Sequence, residues 1–175
     1  MIARPVFVFA VFLTSCGYHV AGRADLVPKT VKTIAVPAFE NATIRYKLTD
    51  EMAEAVAREF IARTRFRVVP NADTADAVLS GTVLNYTSGA TVLEPDTNRA
   101  AVVELHIYLR IVLTERASGK VLFTRPNMEV RERYQVAASG AAFDQKNYFE
   151  ETDTAIRRAA TQAASQVVSS ILENF

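Results

Sequence analysis

Between positions 102 and 114 every second residue is apolar: Val103, Leu105, Ile107, Leu109, Ile111 and Leu113, with Glu104, His106, Tyr108 and Arg110 among the residues between them. Six matches to a period of two describe a long strand with one face in a core and the other largely wet. A strand of that kind must be paired along its length and covered on one side. Ser118-Gly119-Lys120 reads as the turn into a partner strand. In that partner Leu122, Met128, Val130, Tyr134 and Val136 alternate with Arg125, Glu129, Arg131 and Arg133. Pro126 has no N–H for a ladder, so it marks a bulge or an edge position in this second arm.

The rest of the chain supplies the cover. Leu48, Met52, Val56 and Phe60 recur at spacing four, after Thr49 as N-cap and with Asp50 and Glu51 in a first turn where negative charge is favoured. Near the C-terminus Asn147 and Glu150 have capping-box spacing, and Ile156, Ala160, Ala163, Val167 and Ile171 follow one helical face. Short strands are expected at 31–37, 66–69 and 77–86, with Gly81 a bulge. Loops are expected at 40–43 and over the small residues 137–145. The fold class is α+β: a two-layer sandwich with two helices on one face of a mostly antiparallel sheet of about four strands. The other face of that sheet is then free for a partner.

The start of the chain has a different character. Residues 5–13 match the 7 to 15 apolar residues of a signal-peptide core and fall short of the ~20 needed to span a bilayer. They end in Leu13-Thr14-Ser15-Cys16, similar to the lipobox of bacterial lipoproteins, in which the cysteine is acylated and becomes the first mature residue. Cys16, the only cysteine, is therefore read as a lipid-attachment site and not as a buried free thiol. Gly17 follows it where aspartate would signal inner-membrane retention, so the outer membrane is expected. The organisation is a signal peptide over 1–15, a lipidated tether over 16–30 and one α+β domain over 31–175.

Without residues 1–15 the chain loses one basic residue, Arg4, and carries 19 basic and 19 acidic side chains. That balance argues against a nucleic-acid partner. With Cys16 under lipid no disulfide can form, so stability must come from the core. His19 and His106 are far apart and lack a cysteine companion, so no metal site is expected. There is no nucleophile elbow, no His-Glu-x-x-His and no phosphate-cradling loop, and Glu150 and Glu151 read as helix-dipole partners. A non-enzyme with no cofactor beyond the lipid on Cys16 is the expectation.

Cys16-Gly17-Tyr18-His19-Val20, Ala35-Val36-Pro37-Ala38-Phe39-Glu40-Asn41, Arg58-Glu59-Phe60, Arg67-Val68-Val69, Ala75-Asp76-Ala77-Val78-Leu79 and Gly119-Lys120-Val121-Leu122 follow in an order that resembles the LptE family. These are the lipopolysaccharide-assembly lipoproteins of Gram-negative outer membranes. The resemblance implies a lipoprotein seated as a plug in the β-barrel of LptD, helping the barrel fold and aiding lipopolysaccharide insertion into the outer leaflet. Arg99, Arg125 and Lys146 are loop or strand-edge candidates for touching lipopolysaccharide, with solvated surface charge as the competing reading. Arg131 and Arg133, on the wet arm of the hairpin, are the candidates for the partner contact. The alternative is a lipoprotein subunit of another cell-envelope secretion complex with a similar α+β domain.

Overall fold

The computed structural model describes residues 28, 30–45, 47–95, 100–136 and 145–173, with Lys47 and residues 145–151 described by their backbone alone. The expected signal peptide over 1–15, Cys16, Gly17, His19 and most of the expected tether over 16–30, Arg99, and residues 137–144 of the expected loop lie outside these residues. The elements run β1 (Thr33–Ala35), β2 (Glu40–Asn41), α1 (Lys47–Arg63), β3 (Arg67–Val69), a 3-10 turn (Ala72–Thr74), β4 (Ala77–Leu93), β5 (Ala100–Glu115), β6 (Val121–Gln135) and α2 (Gln145–Glu173).

The alternating segment forms the middle of β5, and all six of its apolar side chains are buried. β5 pairs antiparallel with β4 on one side and β6 on the other. Gly119, at φ 69°, takes the left-handed turn position between Glu115 and Val121 that a side chain would strain. The expected rows of both helices are buried too, and they share one apolar cluster with the inward residues of β5. The helices pack against each other as well as against the sheet, which makes the two layers expected.

The sheet is larger than about four strands and is mixed. Six strands run in the order β3-β1-β4-β5-β6, with β2 also on β4. β1 pairs parallel with both β3 and β4, because α1 carries the chain back before β3 starts in the same direction as β1. Residues 40–43 are only partly loop, since Glu40 and Asn41 pair parallel with Thr82 and Val83. α1 begins at Lys47, so Thr49 lies within the first turn and not at the cap. Likewise the backbone is already helical at Gln145, which puts Asn147 inside α2.

Two register shifts, one in β4 and one in β6, decide which side chains face the helices. The expected bulge at Gly81 is absent; β4 shifts instead at Leu84, between Val83 and Asn85. Gly81 stays in register opposite Ile111, and the Phe39 ring lies against it, where a Cβ would overlap the ring. Gly81→Ala should therefore lower stability by about 1–3 kcal/mol, the usual cost of overpacking a core; an unchanged melting temperature would show that the Phe39 ring moves aside freely. β6 shifts where Arg125 faces Ile111 and Met128 faces Leu109, at Pro126 and on an edge strand, as the proline required. Before that shift the inward residue is Phe123, not Leu122.

Asp76 ties β1 to the start of β4. Its Oδ2 accepts the Lys32 N–H at 2.8 Å, the Thr33 N–H at 2.9 Å and the Thr33 hydroxyl at 2.8 Å. The Lys32 amide and these Thr33 donors hold the Asp76 carboxyl below its ordinary pKa.

Candidate functional site

Cross-strand pairing assembles the site. Glu104 lies opposite Arg133, His106 opposite Arg131 and Tyr108 opposite Glu129, all on the sheet face away from the helices. The six residues form one ladder. Arg133 Nε donates to Glu104, and Arg131 donates to Glu129 Oε2 at 2.7 Å. The Tyr108 hydroxyl donates to Glu129 Oε1 at 2.9 Å. His106 sits between the carboxylates, Nδ1 at 2.9 Å from Glu129 and Nε2 at 3.1 Å from Glu104. A ring with one proton donates to only one of them, and a doubly protonated ring donates to both.

The face is thus less wet than its pattern suggests. Glu104 is buried, 8% exposed, with the Arg133 guanidinium and the His106 ring as its polar partners. Arg131 and Arg133 remain 62% and 72% exposed at their side chains. The hydrogen bond from Arg131, then those from His106 and Tyr108, hold the Glu129 carboxyl at about 2 against an ordinary 4.5. Arg133 depresses Glu104 in the same direction, and Glu129 raises the Tyr108 hydroxyl.

A carboxyl depressed in the folded state contributes stability above its unfolded pKa and loses it as pH falls through the folded one. Glu129 therefore predicts a melting temperature that declines from about pH 4.5 towards pH 2, with Glu104 and Asp76 adding in the same direction. Glu129→Gln should flatten the slope measured by thermal melts across that window. An identical slope in the variant would show that the ladder contributes nothing to folding.

The sequence candidates separate in space. Arg131 and Arg133 stand together on the ladder, each engaged by a carboxylate. Arg125 does not join them: the shift at Pro126 turns it to the helical side, where its guanidinium donates to Ser170 Oγ of α2 at 3.1 Å. Glu132 also faces the helices and accepts from Arg158 Nε at 2.6 Å, so it is not part of the mixed patch around Arg131. Lys146 lies in the first turn of α2 and its side chain is not described; Arg99 is outside the described residues. The alternation puts His106 on the wet face of its strand but does not join it with Glu104, Tyr108 and Glu129 into a network. The cross-strand offset that joins them follows from the turn at Gly119 and the shift at Pro126 together.

Among the described residues no group of three His, Cys, Asp or Glu side chains is placed to hold a metal ion. A hollow of about 310 Å³ between the helices is lined by Asp50, Glu51, Glu54, Asp153, Ile156 and Arg157, a carboxylate-rich lining that disfavours anionic lipid. No helix among the described residues is long and apolar enough to cross a membrane.

The model of the LptE family, described as lipopolysaccharide-assembly, matches residues 31–171. No curated protein matches the chain in sequence. Among solved structures, protein XCC0632 from Xanthomonas campestris superposes with a TM-score of 0.53 at 16% identity, over 83% of this chain and 86% of its own. A PelC dodecamer from Paraburkholderia phytofirmans gives 0.51 at 16% identity, over 82% and 89%. Rare lipoprotein B from Shewanella oneidensis gives 0.50 at 19% identity, over 79% and 94%. At these identities the likeness is one of fold.

Proposed function

Because the chain belongs to the LptE lipopolysaccharide-assembly family, we propose that it is a lipoprotein anchored to the outer membrane through Cys16 that enters an LptD-like β-barrel as plug and assembly partner. In that place it assists lipopolysaccharide insertion into the outer leaflet, by binding and not by catalysis. The family match along residues 31–171 carries the reading. The ladder face supports it: an exposed sheet face of paired, mixed charges suits a barrel lumen, which is polar, better than it suits an apolar interface.

The test is purification of the tagged protein in mild detergent, with co-purified chains identified by mass spectrometry. A large outer-membrane β-barrel is the expected partner. Recovery of a ring of copies of the chain itself would favour the alternative, a subunit of another envelope secretion complex. The contact face is tested by Arg131→Gln, which removes an exposed cation and leaves the Arg133–Glu104 pair intact. Complex formation should weaken several-fold, mostly through encounter and specificity, with only a small loss of melting temperature, since His106 and Tyr108 still hold Glu129. Reversal of Arg133 is a poorer probe, because it would set a second carboxylate beside buried Glu104. If Arg131→Gln binds normally while substitutions on the exposed side of α2 abolish binding, the interface lies on the helical layer.

A further inference from the structure

β4 outruns the strands beside it. β1 covers its Ala77 and Val78, and β2 covers Thr82 and Val83. Over residues 84–93 no strand among the described residues lies on that side, although β5 pairs along the other. The open stretch is about 30 Å long at about 3.3 Å per residue.

The two edges of the sheet differ in chemistry. β6 carries Arg125, Pro126, Glu129, Arg131, Glu132 and Arg133, the charges and proline by which edges resist pairing. Residues 85–93 of β4 contain no Asp, Glu, Lys, Arg, His or Pro. Their main chain is aimed for pairing. Val83 turns its carbonyl outward to the Ala42 N–H at 2.9 Å. Carried through the shift at Leu84, the alternation points the main-chain groups of Tyr86, Ser88 and Ala90 outward and those of Thr87 and Gly89 toward β5; the register shifts again between Ala90 and Val92 and between Val92 and Leu93, so the regular outward row ends at Ala90.

The corner where the edge opens is built. Asn41 Oδ1 accepts the Thr43 N–H and hydroxyl at 2.8 Å each, and Asn41 Nδ2 donates to the Arg45 carbonyl at 3.0 Å. The Arg45 guanidinium sits 5.3 Å from the centre of the Tyr86 ring. This fixed loop presents Ile44 at 96% exposure at one end of the open edge, and Val92 and Leu93 are about half exposed at the other.

We propose that the β4 edge over residues 86–93 is completed by an extended segment of the barrel partner, which adds as a further strand through main-chain hydrogen bonds to residues 86–90, with apolar side chains meeting Ile44, Val92 and Leu93. The inference rests on the barrel reading above. Charge and area select the occupant. A strip about 30 Å by about 10 Å offers about 300 Å², well under the roughly 800 Å² per partner of a stable interface, so two copies meeting edge to edge would not hold. A barrel that also covers the ladder face supplies the rest, and the two surfaces are continuous: Thr87 and Gly89 lie opposite His106 and Glu104.

The experiment is hydrogen exchange at single-amide resolution on the full-length lipoprotein, alone and in its detergent complex with the barrel. The Ser88 and Ala90 amides should slow by about tenfold or more in the complex, while Thr87 and Gly89, already turned to β5, change little. Ser88→Pro removes one outward donor and should weaken the complex about tenfold with the free protein's melting temperature little changed; Thr87→Ala should not weaken it. A recovered complex in which Ser88 and Ala90 exchange as in the free chain overturns the edge proposal and leaves the barrel reading standing. Protection that rises with the concentration of the isolated protein makes a second copy the occupant and also overturns it. Failure to recover any barrel overturns both.

Discussion

Leu109→Asp is expected to unfold the domain under conditions where Arg110→Asp leaves it folded. The two residues are adjacent on β5 and differ only in the face they occupy. Leu109 is fully buried, opposite Val83 on one side and Met128 on the other. Its loss removes about 1.5–3 kcal/mol of apolar burial. Putting an unpaired carboxylate in its place costs several kcal/mol more. Together these approach the ~5–15 kcal/mol that holds a domain of this size. Arg110 is exposed and donates a long 3.4 Å hydrogen bond to the Thr82 hydroxyl. Thermal melts followed by circular dichroism compare the variants directly. Equal losses of melting temperature would mean that the faces of β5 are assigned wrongly.

That contrast was readable because β5 is central. Both of its neighbours run along nearly its whole length, so one face stays under the helices from Val103 to Leu113 without interruption. β6 was harder, since a strand's inward set changes at each irregularity. Pro126 marked the place, yet only the register shows that the change moves burial from Leu122 to Phe123 and turns Arg125 toward α2. At Leu84 in β4 no proline or glycine announces the shift, and Gly81, which did look like a signal, is small for the sake of the Phe39 ring. β1 and β3, at three residues each, and β2, at two, are too short to display a period; their parallel pairing depends on where α1 returns the chain.

The candidate site was legible as a face but not as a network. Alternation alone places Glu104, His106 and Tyr108 on one side of β5, and Glu129, Arg131 and Arg133 on one side of β6. Which residue stands opposite which is a matter of offset, and a single step would pair the charges differently. The burial of Glu104 is a consequence of that offset. It gives the ladder a structural share beside the binding one proposed for it, which is why the informative substitution is at Arg131. The open β4 edge had no sequence mark at all: an uncharged strand reads the same whether a neighbour covers it or not.

Cys16→Ala is expected to abolish stable membrane attachment, leaving the protein released or held as a precursor, while the domain melts as before. On the proposed reading the lipid on Cys16 and the domain are separate sources of binding; among the described residues the apolar core begins at Val31. A lone acyl chain anchors a protein only marginally, whereas the glycerolipid and amide-linked chains implied by the lipobox exceed the two signals needed, at about 0.8 kcal/mol per buried methylene. The seventeen residue steps from Cys16 to Thr33 reach at most about 60 Å when fully extended. A tether of that reach lets the anchor lie in the bilayer while the domain occupies a lumen, so the variant should still bind the barrel in detergent. Fractionation, melting and mass measurement of the N-terminal peptide read the three parts separately. An unmodified Cys16 in the mature wild-type protein would remove the anchor from the reading, and loss of barrel binding in the variant would show that the lipid contributes to the interface itself.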